Sequence, residues 1–463
     1  MSSWSGLERS EAGKVRLRAR GALNALDANT VRAICDRSAP LHGSVREHTA
    51  SIIARVRADG DDALRSMARE FDGVVLSTLE VPRALWARAL DALDPTVRSA
   101  LMRSARNIAT VHEAFRPTAI RVSSEPGVEI IRRPDALERV GVYAPGGRAA
   151  YPSSLLMGAI PARVAGVREV IVCSPPGADC LPSSIVLAAA ALAGVDRVFA
   201  VGGAGAIAAM AYGTDSILRV DRIVGPGNAY VAEAKLQVMR DVPIDAPAGP
   251  SELLVLADRS ANAACIAREL VAQAEHDPDA AVIAVVCGDD AVTCADAIER
   301  ALAILVLATP RADVVRAALR TRGAIVTVES LAKGIAFANE WCAEHLLLAV
   351  AENERDVTVA SLRNVGTIFV GESSSVSFGD YMTGANHVLP TAGTARCYSG
   401  LSTLDFVRWT TTQTVTRDAA SAMAHDVGVF ADAEGLSAHA AAARAWATDA
   451  LPTNERVDRG GSR

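Results

Sequence analysis

From about Val140 onward, short apolar runs alternate with amphipathic helical stretches, and this rhythm limits the possible folds more than any other feature. VGVYAPGG reads as a strand and a Gly turn, PSSLLMGAIPARVAG as a helix, and EVIVCSPPG as a strand and turn. SSIVLAAAALAG is helical, RVFAVGG a strand, GAIAAMAYG helical, and RIVGPGN a strand and turn. Apolar β-runs bounded by Gly and Pro, each followed by a helical period, indicate βαβ units on a parallel sheet. The rhythm resumes after Pro250 with SELLVLAD, AACIARELVAQAEH, AAVIAVVCGD and GAIVTVES. Two sheet-bearing units are therefore expected, separated near DAPAGPS (245–251). The first 40 or so residues and the chain beyond about residue 400 read as helical extensions. Within the latter, the Ala-rich stretch around EGLSAHA reads as one amphipathic helix without a sheet partner, the kind of arm that docks on another subunit.

The 463 residues exceed what a single hydrophobic core usually serves, and an apolar half with 22% charged residues argues against disorder. The net charge is −6, and arginine is scattered rather than clustered, which argues against a nucleic-acid partner. The most apolar stretch, Ile185 to Val195, falls well short of the roughly 20 residues a spanning helix needs. MSSWSGLERSEAGKVRLRAR has no apolar segment behind its basic residues, so no membrane association and a cytoplasmic location are expected. Eight cysteines stand singly, without CxxC, and read as reduced thiols.

Six segments could carry chemistry. Gly203, Gly205 and Ala208 form GxGxxA between a strand and a helix, which suits a phosphate or merely a tight turn. The acid expected about 20 positions later is only loosely met by Asp221. GPGNAY (225–230) is a second such turn, exposing Asn228. In QAEH, Gln273 and His276 are spaced to share one face of a helix's last turn, as a ligand pair or a capped terminus. In AEHLLLA, the adjacent Glu344 and His345 are expected at a strand edge and suit acid/base work or plain surface polarity. SFGDYMTGANHVLPTAGTAR (377–396) holds Asp380, Asn386 and His387 in a long, aperiodic but apolar-rich loop, and such loops are usually functional. Glu434 and His439 lie five apart near the C-terminus. His276, His345, His387 and His439 are half of the eight histidines, each near an acid or amide. Oxygen and nitrogen donors without thiolate suit a catalytic zinc, or manganese.

Taken together, GVYAPGG, GPGNAYVAEAK, DAPAGPSELLVLAD, QAEHDPDA, EHL, GDYMTGANHVLPTAGTAR and EGLSAHA resemble the histidinol dehydrogenase family, in its order and over about residues 30 to 445. The resemblance implies two Rossmann-like αβα domains with helical N- and C-terminal extensions in a domain-swapped homodimer. Residues 1–39 would be the N-terminal extension and 40–142 plus 251–400 the larger domain, carrying the catalytic residues. Residues 143–250 would form the second domain with the NAD contacts, and 401–463 an arm reaching the partner's active site. It implies one zinc ion per subunit held by Gln273, His276, Asp380 and, from the partner, His439. Glu344 and His345 match the catalytic pair. Ser251, His387 and Glu434 match substrate contacts, joined by Gln273, His276, His345, Asp380 and His439. Tyr143, Gly205 and Asn228 match NAD-contacting positions. The implied reaction oxidises L-histidinol through the aldehyde to L-histidine: His345 takes the hydroxyl proton, Glu344 activates water, zinc acts as a template, and two NAD accept hydride. Three positions depart from the family: Gly205 replaces the usual Gln, Ala343 the Pro before Glu-His, and Leu347 an acid. The nearest rival is a similar zinc scaffold oxidising another small alcohol, such as sulfopropanediol.

Overall fold

The computed structural model describes residues 15–37, 43–146 and 150–447. Gly147 of the GVYAPGG match, the ends of the expected N-terminal extension and the tail beyond 447 lie outside them. The strands are β1 (Ala19–Ala22), β2 (Ile120–Val122), β3 (Val128–Ala136), β4 (Arg139–Tyr143), β5 (Glu169–Ser174), β6 (Arg197–Ala200) and β7 (Arg222–Val224), followed by β8 (Glu252–Ala257), β9 (Ala281–Cys287), β10 (Gly323–Val328), β11 (His345–Ala349), β12 (Thr367–Val370) and β13 (Val407–Val415). The chain divides into two compact units, one of residues up to Arg116 with Ala136–Phe406, the other of Pro117–Asp135 with the residues from Val407 on.

The first unit is α/β with two parallel sheets. The larger has the order β1-β10-β9-β8-β11-β12, the smaller β6-β5-β4-β7. Every residue of β8 through β11 is buried, as expected of interior parallel strands covered on both faces. The side-chain period of two divides them: Leu253, Val255 and Ala257 face one apolar layer with Ile266, Leu270 and Ile298. Leu254 and Leu256 face the other, with Phe337 and Trp341. Helices Pro152–Ala165 and Ser184–Ala193 each end at a left-handed glycine, Gly166 (φ +93°) and Gly194 (φ +64°).

The N-terminal segment is not wholly helical, because Ala19–Ala22 pairs in parallel with β10 and covers the edge of the larger sheet. Four residues with only Ala19 buried carry too little pattern to be read in advance. Beyond it, Asp27 caps helix Ala28–Cys35 through the amides of Asn29 and Thr30, leading to Arg37.

The second unit holds a three-stranded sheet, β13-β3-β2, and helices Arg417–Ala433 and Ser437–Arg444. The chain beyond residue 400 is therefore not purely helical. The expected single Ala-rich helix is two, broken where Gly435 turns left-handed (φ +75°). Arg444 and Asp432 pair across that break at 2.6 Å.

Candidate active site

Glu344 and His345 open β11, an interior strand between β8 and β12, and are only 6% and 4% exposed. The expected strand edge is instead a buried strand beginning. Helix Leu331–Trp341 ends at Cys342, a non-glycine residue held left-handed (φ +55°). That reversal delivers Ala343 and the pair to the head of the strand.

Next to them stands the head of β8. The amide of Glu252 donates to Glu344 Oε2 at 2.6 Å, and His345 Nδ1 lies 3.0 Å from the Glu252 carbonyl oxygen. A carbonyl can only accept, so Nδ1 keeps its proton in either state, and once the ring is neutral its lone pair lies on Nε2. His345 Nε2 is buried, has no hydrogen-bond partner among the described residues, and lies 3.8 Å from Asp380 Oδ1. Burial alone disfavours the charged ring. The Glu344 and Asp380 carboxylates outweigh it and push His345 up to about 9.

Asp380 sits on the short helix Val376–Tyr381, whose first amide donates to Glu269 Oε2 at 3.1 Å. Glu269 belongs to Ala263–Ala274, the helix that ends with Gln273, so the two segments are tied together. Gln273 is buried in that last turn, whereas His276 lies past the C-cap residue Glu275 and is exposed. The expected shared helical face thus holds for Gln273 alone. His387 Nδ1 meets the Asp380 carbonyl at 2.9 Å, and its Nε2 lies 3.4 Å from Ser154 Oγ. Burial pulls its pKa down, against the raising effect of Asp380. Asn386 Nδ2 donates to the Met157 carbonyl at 2.8 Å. The 377–396 loop is thereby docked on helix Pro152–Ala165, and Gly384 (φ +90°) passes so close to the Asn107 carbonyl that a Cβ would sit 2.4 Å from it.

Ser251 precedes β8, its carbonyl accepting from Ala281. The segment is stitched to the loop at Gly249 to Thr391 Oγ1 (2.5 Å) and Ala392 to Glu252 Oε1 (2.6 Å). Ala392 is left-handed (φ +54°), a strained conformation for alanine. Sequence reasoning passed over Glu252, Arg37 and Ser154. Glu252 could have been found as an acid opening an otherwise apolar strand; Arg37 gives no local signal. Burial raises Glu252 first, Arg37 opposes it and Glu344 adds to it, leaving it about 7.

For a divalent cation, Gln273, His276 and Asp380 are the residues of this unit that could act. Among the described residues, no three His, Cys, Asp or Glu side chains gather as a metal group. The expected set includes only two of those types per unit, His276 and Asp380, so that geometry is not at odds with it. The chemistry fits in charge: the Glu344 and Asp380 carboxylates both lie within 4 Å of buried His345, and a cation would balance their excess of negative charge. Glu434 and His439 lie in the second unit, at the C-cap of Arg417–Ala433 and within Ser437–Arg444.

The NAD candidates lie at the carboxyl ends of the smaller sheet's strands. Tyr143 ends β4, and its buried hydroxyl accepts the Gly203 amide at 3.0 Å; burial pushes it up to about 12. Gly205 is buried, and a Cβ there would lie 3.0 Å from Met67 Sδ and 3.3 Å from Leu64 Cδ2. The room a longer side chain would need is already filled. Asn228 caps helix Ala229–Val238 with its oxygen, at 3.0 and 3.1 Å, which leaves its amide nitrogen pointing outside that cap. Beside it, the rings of His48, Phe71 and Tyr230 cluster, with His48 5.7 Å from Tyr230 and 6.2 Å from Phe71. Asp221 is no ribose ligand here: its carboxylate accepts the amides of Glu138 and Arg139 at 2.9 and 2.8 Å, at the opposite ends of the strands. Of the two other departures, Ala343 and Leu347 are both fully buried in the apolar layers.

A family model described as histidinol dehydrogenase matches residues 36–446. The histidinol dehydrogenase of Halobacterium salinarum is 48% identical over 399 residues, covering 86% of this chain and 92% of that protein. That of Natronomonas pharaonis is 47% identical over 409 residues, covering 88% and 94%. A crystal structure of histidinol dehydrogenase from Elizabethkingia anophelis superposes with a TM-score of 0.88 at 31% identity, covering 93% of this chain and 98% of that one. With the acid–imidazole pair in place at the head of β11, the chain belongs to the histidinol dehydrogenase family.

Proposed function

We infer that this chain is an NAD-dependent oxidoreductase that converts L-histidinol through its aldehyde to L-histidine. The observation that carries the reading is His345: its Nδ1 is committed to the Glu252 carbonyl, and Nε2 is buried without a partner. Once the ring is neutral, that nitrogen can take the hydroxyl proton of an alcohol bound beside Asp380. Glu344 has one oxygen on the Glu252 amide, and the other is left to draw a proton from the water that adds to the aldehyde. Burial of both groups keeps bulk water from the reactive aldehyde. When bound, zinc would hold the substrate's imidazole and amino nitrogens as a template, and NAD would accept hydride. Gln273, His276 and Asp380 would hold the metal, and Ser251 and His387 would meet the substrate.

We read the smaller sheet as Rossmann-like. Its order places β4 and β7 side by side at the point where the chain reverses direction across the sheet, with Tyr143 and Asn228 at their carboxyl ends. The exposed aromatic rings beside Asn228 suit the flat rings of a dinucleotide. The larger sheet, built from β1 and the strands of the expected 251–400 segment, would be the catalytic domain; β4 (Arg139–Tyr143), which begins within the expected 40–142 segment, pairs in the smaller sheet instead. The second unit leaves Val427, Val429, Phe430, Leu436 and Trp446 exposed, with Phe430 at 70%. Such an apolar surface supports a domain-swapped homodimer in which Glu434 and His439 complete the partner's site.

The test compares L-histidinol and sulfopropanediol as substrates, following NADH. Turnover of histidinol, with little or none of sulfopropanediol, is expected. The reverse preference overturns the substrate reading.

A further inference from the structure

We infer that Arg37 and Glu252 are a positioning pair that sets the tautomer and placement of His345 and Glu344, a proposal that rests on the reading of those two residues as the acid–base pair. One residue's backbone serves both groups, since Glu252 donates its amide to Glu344 and offers its carbonyl to His345. Whatever fixes Glu252 therefore fixes both. Its side chain is 1% exposed and is held by the Ala392 amide at 2.6 Å and by Arg37, whose Nε lies 3.2 Å from Oε1. The Arg37 contact is an ion pair by distance but not an aligned hydrogen bond, and Arg37 Nε, Nη1 and Glu252 Oε2 lack hydrogen-bond partners among the described residues. The contact therefore acts through charge, between the guanidinium and a carboxyl that burial raises to about 7.

Arg37 is itself immobilised. It is 5% exposed, its guanidinium lies 3.7 Å over the Trp341 ring, and Nη2 donates to the Trp341 carbonyl. Trp341 ends the helix three residues before Glu344, and its indole donates to the Ile34 carbonyl at 3.0 Å. One guanidinium thus spans the lead-in to β11 and the first residue of β8, the two strand heads that carry the site. The left-handed Cys342 stands on the lead-in to β11, and the left-handed Ala392 is the loop residue whose amide holds the Glu252 side chain. Such strain is kept only where surroundings over-determine it, and at Ala392 the amide bond to Glu252 Oε1 is one such constraint.

The experiment uses the full chain with Arg37→Met, Arg37→Lys and Glu252→Gln. It measures kcat and KM for histidinol and NAD, with 15N NMR of the histidine rings at a pH where His345 is neutral; His345→Gln assigns its signal. A positioning error should cost Arg37→Met and Glu252→Gln about 100-fold in kcat, with both KM values little changed. Arg37→Lys, which keeps the charge, should regain part of the loss. The wild-type ring should be protonated at Nδ1, and Arg37→Met should show a mixture of tautomers. If Arg37→Met does not fold, Glu252→Gln, which keeps the backbone groups and shape, carries the same two readouts. A folded variant with unchanged kcat and an unchanged His345 tautomer overturns the proposal. So does a loss in which KM rises while the tautomer stays fixed, since that marks a merely structural pair. A wild type inactive on histidinol would defeat the substrate reading alone, because the NMR comparison still decides the pair.

Discussion

A histidine acts as a base only if one ring nitrogen keeps its lone pair, and at His345 a backbone carbonyl decides which nitrogen that is. His345→Ala is expected to lower kcat at least about 1000-fold while bound zinc, measured by metal analysis, stays at the wild-type level. Loss of metal along with activity would instead make His345 a ligand. Gly384→Ala, by contrast, should lower both stability and activity, because a Cβ there would lie 2.4 Å from the Asn107 carbonyl and the loop carrying Asp380 and His387 must move. Chemical denaturation and turnover check it together, and a variant with wild-type values in both would contradict the packing account. Glu344, His345, Asp380 and His387 were legible as candidates from their types, and the roles proposed for them came from the order of the motifs that carry the family resemblance. Arg37 and Glu252 were not: Glu252 acts on the pair through its backbone, which every residue has, and Arg37 meets it across more than 200 positions of sequence.

Among the elements, the parallel strands were the most legible, since β8 through β11 are apolar runs and the first three have Gly or Pro beside them. β1 and β13 were missed because short or half-exposed strands have no comparable run. The site is also at the amino ends of β8 and β11, opposite to the carboxyl ends where ligands of open α/β sheets commonly bind. Helix Pro95–Ala114 carries a pH-dependent liability that no local pattern reveals. His112 is 1% exposed with neither ring nitrogen hydrogen-bonded, and burial depresses its pKa to about 4. The unfolded chain takes up this proton near 6.5 and the folded chain does not, so this proton-linked penalty is absent above that pH. The cost grows as pH falls toward 4 and then levels off. His112→Leu should therefore gain stability relative to wild type by about 2 kcal/mol more at pH 5 than at pH 7, read by urea denaturation. An equal difference at the two pH values would contradict the depressed pKa.

At the scale of the whole molecule, two parallel sheets were legible from the alternation of β and helical periods, but their orders were not, since pairing is decided by contacts remote in sequence. Among the described residues no helix is long and apolar enough to cross a membrane. If His439 serves the partner's metal, then His439→Ala lowers zinc retention, and mixing it with His345→Ala after reversible dissociation restores activity. Hybrid dimers would then hold one intact site, and random mixing gives about a quarter of wild-type turnover. No recovery from a verified hybrid places all ligands in one chain. The central claim, a metal-assisted double oxidation of histidinol, is tested most directly by counting NADH formed per L-histidinol consumed, with zinc, after chelation and after zinc is restored. Two NADH per substrate, lost on chelation and regained with zinc, is the predicted result. One NADH, or none, from folded and zinc-loaded protein would contradict it.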